Sequence, residues 1–184
     1  MKYSITGALN NTSEITKEIK TAIKEFFDLC SVEEIEGTCN NKRLELLTDW
    51  GSKPKDDPIM ELGIHTITYA IGIKEITNQY KLTKPERLEV IFSDGKSYVN
   101  EGNAAMEINI QTNQIYVYKG SFNLRDGGYY WGDMSIKDVL YHELLHACGD
   151  VQYDGIIRHN FIGVESIKQL IKEKYEREIN KEKH

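Results

Sequence analysis

Residues 142–149 read HELLHACG, and this stretch decides how the chain is interpreted. Residues four apart lie on one face of an α-helix, so His142 and His146 can direct their imidazoles at one metal ion while Glu143 lies beside them. Two imidazoles and a carboxylate are costly to bury without a partner, and a divalent cation suits all three. The HExxH spacing therefore predicts a metal site of the kind that zinc hydrolases use.

The residues around the motif independently predict a helix. Ser135 and Asp138 resemble a capping box at its start, and Gly149 suits its C-terminal end. The side away from the histidines carries Ile136, Leu140, Leu144, Ala147 and Cys148. A helix that is apolar nearly all round its polar stripe belongs inside a domain. We therefore expect Cys148 to pack in the core rather than to coordinate a metal ion.

Length and charge limit the classes to which the chain can belong. At 184 residues it can build a core without disulfides, so we expect a single domain over residues 1–184. The net charge is −6 and the sequence pI is about 5.4, and no cluster of lysine and arginine stands apart from neighbouring acids. This balance disfavours binding to nucleic acid or to an anionic membrane, and it does not indicate an oligomeric state.

The N-terminus and the cysteines bear on location. No run of eighteen apolar residues occurs, and residues 1–7 lack the charged and then apolar build of a signal peptide. The three cysteines do not make an even disulfide framework, so reduced thiols are the simpler interpretation, although Cys30 and Cys39 could pair. We therefore expect a cytoplasmic protein.

Hydrophobic periodicity predicts an α+β fold with N-terminal helices, a small, mostly antiparallel sheet, the motif helix and a C-terminal helix. The predicted elements are a helix from about Asn11 to Cys30, a helix from Asp57-Pro58 to about Tyr80, a strand from Arg87 to Phe92 before the turn Ser93-Asp94-Gly95, a hairpin from Met106 to Tyr118, a loop from Gly120 to Gly132, and a helix through Val164 and Tyr175 that frays into the charged tail 172–184. The stretch between the first two helices is polar. His65 falls in the second helix, where a surface or core histidine is a simpler interpretation than a ligand.

A catalytic zinc ion usually takes three protein ligands, so a third group must join the two histidines. His159 lies thirteen residues beyond His146, and the chain can turn back between them to place His159 over the metal ion. Glu165 is the main rival, because a carboxylate from a downstream helix would bind zinc equally well. The sequence therefore favours His159 and leaves Glu165 open.

Three further acids lie near the motif. Asp150 and Asp154 are close enough in sequence to be alternative ligands or to hold a ligand in place. Asp138 comes one turn before His142 and could orient its imidazole. The sequence does not separate these roles from ordinary capping and turn acids.

With these residues the chain resembles the zincin metallopeptidases. A third ligand at His159, at the start of a following helix, is similar to the Spartan-type, SprT-like branch, whose motif commonly runs HExxHA. This likeness covers residues 139–170, which is a small part of the chain.

Two other zincin branches match in part. The metzincin pattern HExxHxxGxxH fits residues 142–149, but Gln152 takes its last ligand position and no methionine follows Met134. Gluzincins would use Glu165, yet Gln169 stands where a further acid is expected. The resemblance therefore indicates the superfamily more firmly than the branch.

The resemblance implies a zinc-dependent peptidase. One Zn²⁺ ion would be held by His142, His146 and His159, and Glu143 would act as the general base. A peptide or protein substrate would lie extended against an edge strand, for which the hairpin 106–118 is the candidate. Further cleft residues would be Tyr129, Tyr130 and Trp131, as lid or core, and Tyr153 or Arg158, as donors to the developing oxyanion.

Two other functions remain open at this stage. The first is a catalytically silent zincin in which zinc only ties two helices together for a binding role, and the intact Glu143 argues against it. The second is a scaffold protein whose HExxH is accidental. Stoichiometric zinc in the purified protein would exclude the scaffold.

Overall fold

The computed structural model describes residues 1–7, 13–52, 79–93, 105–150 and 162–182. Its helices are α1 (Ser13–Lys24), which continues as a π-helical turn (Glu25–Leu29), α2 (Val32–Ser52), α3 (Ile136–Ala147) and α4 (Ile162–Glu182). Its strands are β1 (Lys2–Thr6), β2 (Arg87–Ser93), β3 (Met106–Asn109), β4 (Gln114–Tyr118), β5 (Asn123–Arg125), β6 (Gly128–Trp131) and β7 (Met134–Ser135), with a 3₁₀ turn at Lys119–Ser121. This mixture of helices and small sheets confirms the α+β class.

The chain divides into two compact units. The first comprises Met1–Val32 and Leu82–Asp150, and the second comprises Glu33–Lys81 and Val151–His184. The motif helix α3 belongs to the first unit, and the C-terminal helix α4 belongs to the second. The expectation of a single domain stays a prediction.

The larger sheet of the first unit has the order β1-β2-β4-β3. β1 pairs with β2 and β2 pairs with β4 in parallel, whereas β3 pairs with β4 as an antiparallel hairpin in which Met106 faces Val117 and Ile108 faces Ile115. The predicted hairpin is therefore confirmed. The prediction of a mostly antiparallel sheet is wrong for this sheet, because the first two pairings join segments that are distant in sequence and run parallel.

The core of the first unit is built from α1, the larger sheet and α3. Fully buried side chains come from α1 (Ile15, Ile19, Ile23), from the π-helical turn (Phe26), from the sheet (Val90, Ile115, Val117) and from α3 (Leu140, Leu144, Leu145). Each such aliphatic or aromatic side chain contributes about 1.5–3 kcal/mol on burial. An ion pair between the buried Glu25, in the π-helical turn, and Lys137 also joins α1 to α3.

The segment before α3 is a second small sheet rather than the predicted loop. β5, β6 and β7 form an antiparallel meander, and β6 and β7 pack against α3. Positive φ angles at Asp126 and Gly127, of 50° and 81°, make the tight turn between β5 and β6. The glycines and aromatics of this segment thus serve a hairpin, and β7 leads directly into the motif helix.

The second unit contains a helix that the sequence pattern did not predict. α2 covers the stretch interpreted as polar, and its described side chains bury only a narrow apolar set that includes Ile35 and Cys39. Asn40 Oδ1 accepts a hydrogen bond from the backbone N–H of Tyr80 at 2.7 Å, and Asn40 Nδ2 donates one to the carbonyl of Tyr80 at 3.0 Å. Lys174 on α4 forms an ion pair with Glu34 on α2.

The C-terminal helix is longer than predicted. α4 begins at Ile162 and continues to Glu182, through most of the charged tail that was expected to fray. Alternating lysines and glutamates support exposed helices through pairs three or four residues apart, and Gln169 bonds Glu173 in this way at 3.1 Å.

Several predicted features lie outside the described residues. These are most of the helix from Asp57 to Tyr80, the Asp94-Gly95 part of the turn after β2, and the segment from Val151 to Asn160. Residues 79–80, at the end of that predicted helix, are not helical. Within the described part of the chain, no helix combines the length and the apolar character needed to cross a bilayer.

Candidate metal centre

Both ends of the motif helix α3 are closed by the residues that the sequence indicated. At its start Ser135 Oγ accepts a hydrogen bond from the backbone N–H of Asp138, at 3.2 Å. At its end Gly149, with φ of 102°, donates to the carbonyl of His146, and Asp150 N–H donates to the carbonyl of Leu145, both at 3.0 Å. These two bonds form a Schellman motif, which needs a residue such as glycine at the left-handed position.

The same turn holds one of the two motif histidines. His146 Nδ1 lies 2.6 Å from the backbone carbonyl oxygen of Asp150. A carbonyl only accepts hydrogen bonds, so Nδ1 carries the hydrogen and the Nε2 atom of the neutral ring carries a lone pair. His146 is therefore held in the tautomer that binds a metal ion through Nε2.

The two imidazoles converge on one point. His142 Nε2 and His146 Nε2 are 3.1 Å apart, and the rings lie edge to face with centroids separated by 4.6 Å. In the metal-free protein this separation allows His142 Nε2–H to donate to His146 Nε2. Burial, and secondarily the neighbouring His146, lower the pKa of His142 to about 4, so its ring is neutral at physiological pH.

The separation of the nitrogens suits a shared zinc ion. Two ligand nitrogens at about 2.0–2.1 Å from a tetrahedral zinc lie about 3.3 Å apart. The observed 3.1 Å is close to that value, and the His142 ring is neutral. The residues present therefore fit zinc at two of its coordination positions.

Glu143 is buried beside this pair. Only 8% of its surface is exposed, and burial raises its pKa to about 8, with a smaller contribution from the negative charge of Glu107. A nearby divalent cation would favour the ionised form and lower this pKa. We therefore expect the pKa of Glu143 to fall strongly when a metal ion binds beside it.

Glu107 was not among the residues selected from the sequence. It lies on β3, which packs against α3, and its carboxylate accepts a hydrogen bond of 2.6 Å from the Tyr118 hydroxyl. An acid that alternates with apolar residues is the usual pattern of a half-exposed strand, so the sequence carried no signal for Glu107. Only the packing of β3 on α3 places its charge near Glu143.

The other predicted site residues fall into two groups. Outside the described residues lie His159, the favoured third ligand, together with Asp154, Tyr153, Arg158 and His65. Glu165, the rival ligand, is exposed in the first turn of α4, in the second unit, with its carboxylate 3.7 Å from Lys168 Nζ. The choice of the third ligand stays open between His159 and Glu165, with Asp150 and Asp154 as further alternatives.

Three residues flanking the motif have defined surroundings. Asp150 acts on His146 through its backbone carbonyl, which is a supporting role of the kind the sequence allowed. Asp138 contributes its N–H to the helix cap. Cys148 is 2% exposed, and burial raises the pKa of its thiol to about 12, so it packs as an apolar side chain.

The described residues supply two candidate ligands and not a complete set. Within residues 1–7, 13–52, 79–93, 105–150 and 162–182, no group of three or more His, Cys, Asp or Glu side chains lies together in a way that could hold a metal ion. Comparison of the chain with protein-family models, with curated proteins and with solved structures finds no match. The centre is therefore interpreted from its own geometry.

Proposed function

We propose that this chain is a zinc-dependent metallopeptidase that hydrolyses peptide bonds with Glu143 as the general base. The observation that carries the proposal is the convergence of the Nε2 atoms of His142 and His146, 3.1 Å apart, beside a buried carboxylate. A structural histidine pair would have no need of an adjacent buried acid, which is unfavourable by itself.

Each of these residues has a defined task in the proposed reaction. His142 and His146 would hold the zinc ion, and the Asp150 carbonyl keeps His146 in the required tautomer. When bound, zinc supplies a Lewis acid that polarises a carbonyl and makes a water molecule more acidic. Glu143 would accept the proton of the attacking water and pass it to the leaving amine. The burial of Glu143, which is only 8% exposed, favours proton transfer to the substrate rather than to solvent.

The remaining parts of the site belong to the same proposal. We assign the third ligand to His159, with Glu165 as the alternative. A peptide or protein substrate would lie along β3, which is an edge of the larger sheet among the described strands and packs against the motif helix α3. The packing of this strand on the helix that carries the two histidines supports the proposal.

The proposal extends to the protein as a whole. It describes a zincin-like single domain in the cytoplasm, with no nucleic acid or membrane partner. The net charge of −6 supports the absence of an anionic partner. A zincin in which the metal site is intact but catalytically silent is the alternative.

Metal analysis followed by a peptide-library digest tests the proposed function. The wild type should bind about one zinc ion per chain and cleave peptides, while Glu143→Gln should keep zinc and lose cleavage. This variant is a matched control because glutamine has nearly the same shape but cannot accept the proton at neutral pH. Zinc binding without any cleavage by the wild type would support the silent alternative, and a wild type that binds no zinc would refute both.

A further inference from the structure

Glu107 is a negative charge with no task in the proposed chemistry. Its carboxylate accepts a hydrogen bond from the Tyr118 hydroxyl at 2.6 Å, a length typical of strong charge-assisted bonds. Tyr118 is only 3% exposed, so the donor is fixed by packing in β4. The position of the Glu107 carboxylate is therefore defined by the sheet.

This charge lies at the place where a substrate is expected. β3 ends the larger sheet among the described strands, and it packs against α3. A positive group placed beside the Glu107 carboxylate would be attracted to it, whereas a negative group would be repelled.

Strand addition determines which substrate groups meet Glu107. A peptide paired with the edge of β3 would place a side chain about 4.5–5.5 Å from that of the facing β3 residue, and opposite charges at that distance attract. The other side chains of β3 are Met106, Ile108 and Asn109, all uncharged. Glu107 is thus the residue through which this strand can distinguish substrates by charge.

We propose that Glu107, positioned by Tyr118, selects substrates with a positive charge next to the scissile bond. The cation is an amine or guanidine, supplied either by a lysine or arginine side chain or by the free N-terminus of the peptide. This inference rests on the proposed peptidase function and adds the class of substrate.

The test compares kcat/KM for peptides that differ in one residue. Lysine, glutamine or glutamate is placed in turn on each side of the cleaved bond, and every peptide is prepared with a free and with an acetylated N-terminus. The zinc-loaded wild type should prefer the peptide that carries the recognised cation, which is either lysine over glutamine or a free over an acetylated N-terminus, by about 10- to 100-fold, since a hydrogen bond to a charged group is stronger than one between neutral groups. A preference for lysine that survives acetylation assigns the cation to the side chain, and a preference for the free over the acetylated peptide, whatever the side chain, assigns it to the N-terminus.

Three substitutions link the preference to Glu107. Glu107→Gln should bring the preference ratio for the recognised cation close to one, and Glu107→Lys should reverse it in favour of the uncharged or negative peptide. Tyr118→Phe keeps the carboxylate but removes its hydroxyl partner, so its ratio should lie between those of the wild type and Glu107→Gln. Glu89→Gln is the matched control, because Glu89 lies on β2 and bonds the Gln114 side chain at 3.2 Å, and its ratio should equal that of the wild type.

The outcomes separate the two proposals. If the wild type cleaves the lysine, glutamine and glutamate peptides equally well and does not distinguish free from acetylated N-termini, or if Glu107→Gln and Glu107→Lys keep the wild-type ratios, the inference about Glu107 is overturned while the peptidase function stands. If the zinc-loaded wild type cleaves none of the peptides, the proposed function fails and this inference fails with it.

Discussion

Replacing Glu143 with glutamine should stabilise the zinc-free protein, and the gain should grow with pH. The Glu143 pKa is about 8 in the folded protein, against an ordinary value of 4.5. Between these values the folded chain binds a proton that the unfolded chain has released, so the free energy of unfolding of the wild type falls as pH rises. Glutamine resembles protonated Glu143 at every pH, so the variant does not lose stability in this way as pH rises.

The size of the effect follows from one proton. A full difference of one bound proton changes the free energy of unfolding by about 1.4 kcal/mol per pH unit. The stability difference between Glu143→Gln and the wild type should therefore increase by about 3 kcal/mol from pH 5 to pH 7. His142, whose lowered pKa makes both proteins less stable as pH falls from 6.5 towards 4, titrates in both and cancels in the difference.

Urea unfolding followed by circular dichroism, with a chelator present, measures this difference at pH 5, 6 and 7. Glu178→Gln is the control, because Glu178 is exposed on α4 and its surroundings change little on unfolding. Saturating zinc should reduce the pH dependence, since a cation beside Glu143 favours its ionised form. A difference between Glu143→Gln and the wild type that stays constant over this pH range would refute the burial of Glu143 as the structure has it.

Three other predictions concern the same centre. In the zinc-loaded protein Glu143→Gln should lower kcat by about 10²- to 10⁴-fold while the zinc content stays at the wild-type level, and a loss of zinc would show that Glu143 acts in binding rather than as a base. Gly149→Ala should lower the free energy of unfolding by more than about 1 kcal/mol, because φ is 102° at this position. It should also weaken zinc binding by about 10- to 100-fold, because it shifts the Asp150 carbonyl that holds His146. An unchanged zinc affinity in a competition titration would show that this carbonyl does not support His146. His159→Ala should lose zinc and activity whereas Glu165→Ala keeps both, and the opposite result would reassign the third ligand.

The local features of the site could be predicted from the sequence. The cap at Ser135, the glycine at position 149 and the four-residue spacing of the histidines each depend on neighbours in the chain, and the structure has all three. The hairpin of β3 and β4 was equally accessible, because alternating apolar residues and a short connection are local signals. Local chemistry thus defined the motif helix and the strand expected to lie beside it.

The features that could not be predicted depend on distant parts of the chain. β1 is short and exposed, and only its parallel pairing with β2, more than eighty residues later, makes it a strand. α2 lacks a clear apolar stripe, so its periodicity gave no helix signal. Glu107 is an ordinary strand acid until β3 packs against α3. In each case the determining contact is tertiary and leaves no local pattern.

Zinc content measured by atomic spectroscopy is the most direct test of the paired histidines as a metal centre. After incubation with excess zinc and removal of unbound metal, the wild type and the control His65→Ala should retain about one zinc ion per chain, and His142→Ala and His146→Ala should retain none. The account would be contradicted if the wild type retained no zinc, or if His142→Ala and His146→Ala each retained as much zinc as the wild type.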